Sequence, residues 1–210
     1  MAHPSRRRLL GLALVLPGYL APCWPARAEG DGPETPIRVL DDTLLRIMHA
    51  GTATPFPERA KLIAPAIQAA FDLAQILKVS VGTRWAALPP KQQGELLEVF
   101  TQYTIASYVG NFDAFSGERF EILPQTRAVG ADKVVATQIV PASGDPTRID
   151  YVMRQGGGGW KAVDVLLDGS ISRVAVQRSD FRALLAGGDA SGLIASLRAK
   201  AAALETGVKP

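Results

Sequence analysis

The 210-residue sequence predicts an α+β fold with N-terminal helices, a four-stranded antiparallel meander and C-terminal helices. Before residue 112, apolar residues recur at steps of three and four, which is typical of helices. After Gly117 the period changes to two, which is typical of strands. The turns between these strands are short, which favours antiparallel pairing because a parallel crossover needs a dozen or more residues. Such an order places helices on one face of a sheet.

Residues 1–28 have the pattern of an export signal. Arginines at positions 6–8 precede a short apolar run, and Ala26-Arg27-Ala28 fits a cleavage site, so we expect cleavage after Ala28. A retained membrane anchor is disfavoured, because the run is shorter than the roughly 20 residues that span a bilayer. The consecutive arginines leave twin-arginine export of the folded chain open beside the general secretory route.

Cleavage would change the charge and the chemistry of the chain. It removes four of the 23 basic side chains and none of the 20 acidic ones, which leaves a net charge of −1. This balance argues against nucleic acid as a partner. Cleavage also removes Cys23, the single cysteine, so thiol catalysis, disulfides and Cys-rich zinc sites are excluded. We expect His49, the one remaining histidine, at a surface helix end, and we expect no cofactor.

The first helices follow a flexible lead-in at residues 29–36. Thr35 is predicted to cap a helix that ends at Gly51. A second helix begins near Pro57, and Pro65 is expected to split it, because a proline inside a helix removes a hydrogen bond and clashes with the preceding turn. Asp72 is expected to cap a third helix, which runs to Gly82.

The longest predicted helix covers residues 90–112. Its apolar face consists of Leu96, Val99, Phe100, Tyr103, Ala106 and Val109. Strands are predicted at 120–123, 133–140, 147–154 and 160–167, and helices at 174–186 and 191–204. Residues 205–210 are expected to form a loose tail, so residues 37–204 are predicted to form one domain.

Two polar features invite a chemical interpretation. Four glycines at 156–159 lie between predicted strands and lack the lysine of a phosphate-binding loop, so a hairpin turn is the better interpretation. Asp164 and Asp168 would be about 13 Å apart on one strand, too far to share a substrate bond. Asp164 interrupts an apolar strand, and we expect a structural ion pair with Arg178 or Arg154.

Three sequence blocks resemble the MlaC family, and within it the hopanoid-associated HpnM branch. Residues 71–85 are similar to the family's FD…G..W segment, and residues 151–169 (YVMRQGGGGWKAVDVLLDG) to its GW[KR]..DV…G hairpin. Residues 171–181 are similar to its [VI]S…..RS.F segment. The sequence departs from the family at Ser170, one extra residue, and at Gln177, where many relatives have an aromatic residue.

The resemblance implies a periplasmic carrier with an NTF2-like cone fold. Such a carrier is a monomer that moves phospholipid, or a hopanoid-type lipid, between an outer-membrane lipoprotein complex and an inner-membrane ABC transporter. We expect the lipid slot between the helix at 96–112 and the sheet face that carries Ile149, Tyr151 and Met153. The candidate lipid-binding residues are Phe71, Ile76, Trp85, Leu96, Phe100, Tyr103, Ile149, Tyr151, Met153, Trp160, Val163 and Val165.

Periodicity does not distinguish a lined slot from a solid core, because both place apolar side chains on one face. A second hypothesis is a small isomerase-like enzyme in which Asp164 works with Tyr103 or Tyr151 on an apolar substrate. A third is an assembly factor for a membrane complex, which would lack an enclosed cavity.

Overall fold

Four α-helices form the N-terminal half of the structure, a computed structural model that describes residues 32–208. They are α1 (Thr35–Ala50), α2 (Phe56–Ala70), α3 (Leu73–Val81) and α4 (Pro90–Asn111), with a 3₁₀ helix, Gly82–Ala87, before α4. Prolines lie in the first turns of α1, α2 and α4, where a missing N–H has no helical partner to lose. The predicted export signal and residues 29–31 lie outside the described residues.

The structure confirms one of the local predictions for these helices and contradicts two others. Asp72 caps α3 as expected, because its side chain accepts a hydrogen bond of 3.0 Å from the Gln75 N–H. Thr35 is not the cap of α1; it lies inside the helix, after Glu34. The expected break at Pro65 is wrong, since α2 is continuous. Pro65 is exposed, while Ile63 and Ile67 on either side are fully buried, so packing outweighs the local cost of the proline.

A five-stranded antiparallel meander follows, with the strands in sequence order. They are β1 (Arg119–Val129), β2 (Asp132–Val140), β3 (Thr147–Gly156), β4 (Gly159–Leu167) and β5 (Ile171–Ser172). The prediction of four strands missed β5, which is too short to show an alternating pattern. β1 is longer than predicted and shifts register between Ile122 and Thr126, around Pro124. A proline cannot donate to the strand ladder, which explains the irregularity there.

The turn before β5 positions the last part of the chain. Asp168 and Gly169 both have positive φ angles, 49° and 69°, and the Ser170 N–H donates to the Leu167 carbonyl. This tight turn lets Ile171 pair with Leu167, and α5 (Arg173–Leu184) begins directly after β5. The start of α5 is therefore held beside the end of β4.

The C-terminal helix α6 (Ser191–Glu205) packs along α4. Arg198 forms an ion pair with Glu95 at 2.8 Å. A Cβ atom on Gly110 would lie 2.8 Å from Cδ2 of Leu204, so the glycine allows close contact of the two helices. After α6, the Gly207 N–H donates to the Leu204 carbonyl, and residues 209–210 lie outside the described range. None of the helices within residues 32–208 combines the length and apolarity that crossing a bilayer requires.

Candidate functional site

A cavity of about 370 Å³ lies between α4, the sheet and the start of α5. This volume falls within the range of about 300–1,000 Å³ that is usual for small-molecule sites. Its lining is mostly apolar and aromatic: Phe71, Leu73, Ile76, Phe100, Tyr103, Thr104, Ser107, Tyr108, Asn111, Phe112, Phe120, Thr137, Ile139, Ile149, Tyr151, Asp164, Val165, Leu167, Arg173, Val174 and Gln177.

The α4 wall is built from one face of the helix. The wall residues of this helix lie at positions i, i+3, i+4, i+7 and i+8, the spacing that forms a stripe along one side: Phe100, Tyr103, Thr104, Ser107 and Tyr108. The hydroxyls of Thr104 and Ser107 donate to the carbonyls of Phe100 and Tyr103, each at 2.8 Å. Because these donors are satisfied within the helix, they add little polarity to the wall.

The sheet wall is built from alternate residues of neighbouring strands. Ile149 and Tyr151 come from β3, and Val165 and Leu167 from β4. Residues two apart on a strand point to the same side, so these four side chains share a face. Thr137 of β2 is on this face too, and its hydroxyl donates to the Ile149 carbonyl. The sheet therefore presents a continuous, mainly apolar surface to the cavity.

Two tyrosines in the cavity wall face a buried carboxyl group. Burial raises the pKa of the Tyr108 and Tyr151 phenols above their usual range, so both are neutral at physiological pH. Asp41 of α1, which is 7% exposed, raises the pKa of both phenols further. Burial, with a smaller contribution from Asp42, raises the pKa of Asp41 itself to about 7. The two cavity tyrosines thus lie close to a carboxyl group that is partly protonated at neutral pH.

Asp164 lines the cavity, but the predicted ion pair is wrong. One carboxylate oxygen accepts hydrogen bonds from the backbone N–H groups of Val165 (2.8 Å) and Val174 (3.1 Å). The other accepts from the Ser172 hydroxyl at 2.5 Å. The two arginines expected as partners are bound elsewhere, Arg154 to Asp132 and Arg178 to the Val79 carbonyl. Asp164 therefore ties β4 to the start of α5, which a sequence pattern could not reveal because its donors are mostly backbone groups.

A model of the MlaC protein family matches residues 38–199. The chain belongs to the MlaC family. The match includes all six helices in whole or in part and the whole sheet. No protein with a curated description matches the sequence.

The MlaC-family fold is also visible in a structural comparison. The structure is similar to that of a phospholipid-binding protein from Ralstonia solanacearum, solved in complex with a phospholipid. The TM-score is 0.71 and the sequence identity 22%, and the alignment covers 83% of this chain and 98% of that chain. At this identity the likeness establishes a shared fold.

Seven of the twelve candidate residues lie in the cavity wall of this MlaC-family chain. They are Phe71, Ile76, Phe100, Tyr103, Ile149, Tyr151 and Val165. The other five, Trp85, Leu96, Met153, Trp160 and Val163, do not line it. Leu96 is fully buried in the main core, and Trp160 is half-buried with the Lys133 ammonium group 5.0 Å from its ring centroid.

A β-bulge in β4 explains why Val163 does not line the cavity. Val152 pairs with Asp164, but Met153 pairs with Ala162, which leaves Val163 as an extra residue without an opposite partner. Such a bulge changes the side-chain alternation along the strand. Met153 is fully buried in the core rather than at the cavity. The alternating pattern of β4 gave no sign of this shift.

The sequence-based choice also missed several lining residues. Tyr108 and Phe112 continue the helical spacing that selected Phe100, and Ile139 and Leu167 alternate along their strands, so a longer pattern could have found them. Arg173 could not be found by a search for apolar residues.

His49 is exposed in the last turn of α1, as expected, with its ring centroid 3.9 Å from that of Phe115. Across residues 32–208, no cluster of three or more His, Cys, Asp or Glu side chains is arranged to hold a metal ion.

Proposed function

We propose that this protein is a lipid carrier that encloses acyl chains in the cavity between α4 and the sheet. The observation that carries the proposal is the apolar wall of that cavity, in which the hydroxyls of Thr104 and Ser107 are satisfied by the helix backbone. Membership of the MlaC family supports it, as does the shared fold with a protein solved in complex with a phospholipid.

Elementary energetics explain why a carrier needs such a cavity. Each buried methylene group is worth about 0.8 kcal/mol, so a single 14-carbon acyl chain costs roughly 10 kcal/mol when exposed to water. An enclosed apolar cavity removes that cost during transfer, while the polar headgroup can stay in water. The arrangement needs binding and release but no catalytic group.

The cellular role is a further part of the proposal. The predicted export signal and the family membership support a periplasmic protein, cleaved after Ala28, whose domain at 37–204 has an NTF2-like cone around the lipid. In this role a monomer receives a phospholipid, or a hopanoid-type lipid as the HpnM-like blocks suggest. It exchanges the lipid between an outer-membrane lipoprotein complex and an inner-membrane ABC transporter.

The isomerase hypothesis has less support from the geometry. Asp164 would have to act as an acid or base, but both of its oxygens already accept hydrogen bonds that hold β4 to α5. An assembly factor without ligand would not need an apolar cavity. We therefore expect no turnover of the bound molecule.

Filling the cavity tests the proposal. Thr104→Phe adds a ring at the cavity wall, while Thr101→Phe is a matched control on the same helix. Both residues are half-buried and both hydroxyls donate to the carbonyl four residues earlier at 2.8 Å, but Thr101 does not line the cavity. Because interiors are close-packed, the added ring takes space that an acyl chain needs. Native mass spectrometry should show co-purified lipid on the natural protein and on Thr101→Phe, and about tenfold less on Thr104→Phe.

Two results would contradict the proposal. One is a natural protein that remains free of lipid in repeated preparations from membranes and after incubation with phospholipid. The other is equal lipid occupancy of the two phenylalanine variants, which would place the lipid outside this cavity. Thermal unfolding of both variants shows whether each is folded under the conditions of the measurement.

A further inference from the structure

The cavity reaches the surface between the end of α4 and the start of α5. Among its lining residues, Asn111 and Arg173 are exposed, and all others are buried or half-buried. Asn111 is the last residue of α4, and Arg173 is the first residue of α5. The apolar interior therefore opens at a rim with a cation from one helix and an amide from another.

The Arg173 guanidinium has no partner among residues 32–208: it forms no ion pair and no side-chain hydrogen bond there. Asp164, the acidic residue of the cavity wall, already accepts hydrogen bonds from Val165, Ser172 and Val174. Arg173 is close enough to the cavity to lower the pKa of Tyr108. Its charge thus lies at the cavity wall and is not held in an ion pair within residues 32–208.

We infer that Arg173 binds the phosphate group of a lipid headgroup at the mouth of the cavity and makes the carrier selective for phospholipids over uncharged lipids. The inference rests on the proposed function, because it requires acyl chains in the cavity. A planar guanidinium pairs with phosphate oxygens through two parallel hydrogen bonds. The start of α5 adds a small positive potential from the helix dipole, and the exposed amide of Asn111, which also lines the cavity, can donate to the headgroup.

The test compares two lipids that differ in the phosphate. The probes are short-chain phosphatidylglycerol and diacylglycerol with the same acyl chains, titrated into delipidated full-length protein. Arg173→Gln removes the charge. Arg182→Gln is the control, since Arg182 is an exposed arginine of α5 that does not line the cavity.

We expect Arg173→Gln to weaken phosphatidylglycerol binding about fivefold to tenfold and to leave diacylglycerol binding unchanged, because a partly exposed charge-assisted pair is of moderate strength. Arg182→Gln should match the natural protein.

Each other outcome counts against the inference in a distinct way. An unchanged preference for phosphatidylglycerol in Arg173→Gln would overturn it while leaving the carrier function intact. Equal weakening of both lipids would assign Arg173 a structural role and would also overturn it. If inorganic phosphate alone binds as tightly as phosphatidylglycerol and is lost in Arg173→Gln, the site is a free-phosphate site. Failure of every variant to bind either lipid would refute the proposed function and this inference together.

Discussion

The two sides of α4 are built differently. On one side, Val99 and Val109 are buried in the main core, and Gly110 lets α6 approach closely. On the other side, Tyr103 and Tyr108 border a cavity of about 370 Å³. One helix therefore serves both as part of a solid core and as a wall of an open site.

The difference follows from the types of side chain on each side of α4. The solid side has aliphatic side chains and a glycine, which allow close approach between helices. The cavity side has aromatic rings that contact each other, such as Tyr108 and Phe112 with centroids 6.0 Å apart. Its small side chains, Thr104 and Ser107, leave space beside those rings. Large rigid groups separated by small ones keep a cavity open beside the helix.

The largest effect should come from truncation in the main core. Leu96→Ala should lower the free energy of unfolding by about 2–5 kcal/mol, because it leaves a void in a packed core. Leu167→Ala is the matched change at the cavity wall, where the side chain is half-buried and already borders open space. It should cost about 1 kcal/mol, as expected for a partly exposed site. Urea unfolding measures both.

Lipid binding should show the opposite order for these two variants. Leu96 does not line the cavity, so the folded Leu96→Ala protein should bind lipid as the natural protein does. Leu167→Ala should bind more weakly, because acyl contacts are lost. Equal losses of unfolding free energy at the two positions would mean that the main core and the cavity wall are packed alike, contrary to the comparison.

A smaller, pH-dependent effect is expected at Asp41, whose side chain lies close to the cavity tyrosines. The pKa of this carboxyl is 3.8 in an ordinary setting and about 7 in the folded protein. Below pH 3.8 the carboxyl is protonated in both the folded and the unfolded state, so it does not change the free energy of unfolding. As pH rises towards 7, the unfolded state ionises first and stability is lost, by at most about 4 kcal/mol at about 1.4 kcal/mol for each pKa unit.

Asp41→Asn removes this ionisation while keeping the shape of the neutral carboxyl. We expect the variant to be about 2–4 kcal/mol more stable than the natural protein at about pH 8, and close to it at about pH 4. Urea unfolding at the two pH values measures the difference. A variant that is less stable than the natural protein at the higher pH would show that the ionised carboxylate stabilises the fold.

Much of the architecture was predictable from periodicity. The helix at residues 90–112 and the strand at 133–140 agree with α4 and β2 within one residue at each end. The short turns between strands correctly indicated an antiparallel meander. These features depend on local spacing over many residues, which the sequence records directly.

Other features depend on contacts between distant residues. The continuity of α2 through Pro65 follows from burial of Ile63 and Ile67, and the bulge at Val163 follows from pairing between β3 and β4. The role of Asp164 depends on a turn that brings Ser172 and Val174 to it. The spacing of apolar residues does not specify such contacts, nor does it distinguish Leu96 in the core from Phe100 at the cavity.

The most direct test of the account is where the acyl chain lies. Isotope-filtered NMR of the protein loaded with a phospholipid carrying labelled acyl chains would detect protein protons within contact distance of the chain. We predict contacts from the chain to the rings of Tyr108, Phe120 and Tyr151, and none to Leu96. Bound lipid whose chain contacts only exposed residues, or contacts Leu96 and not these rings, would contradict the account.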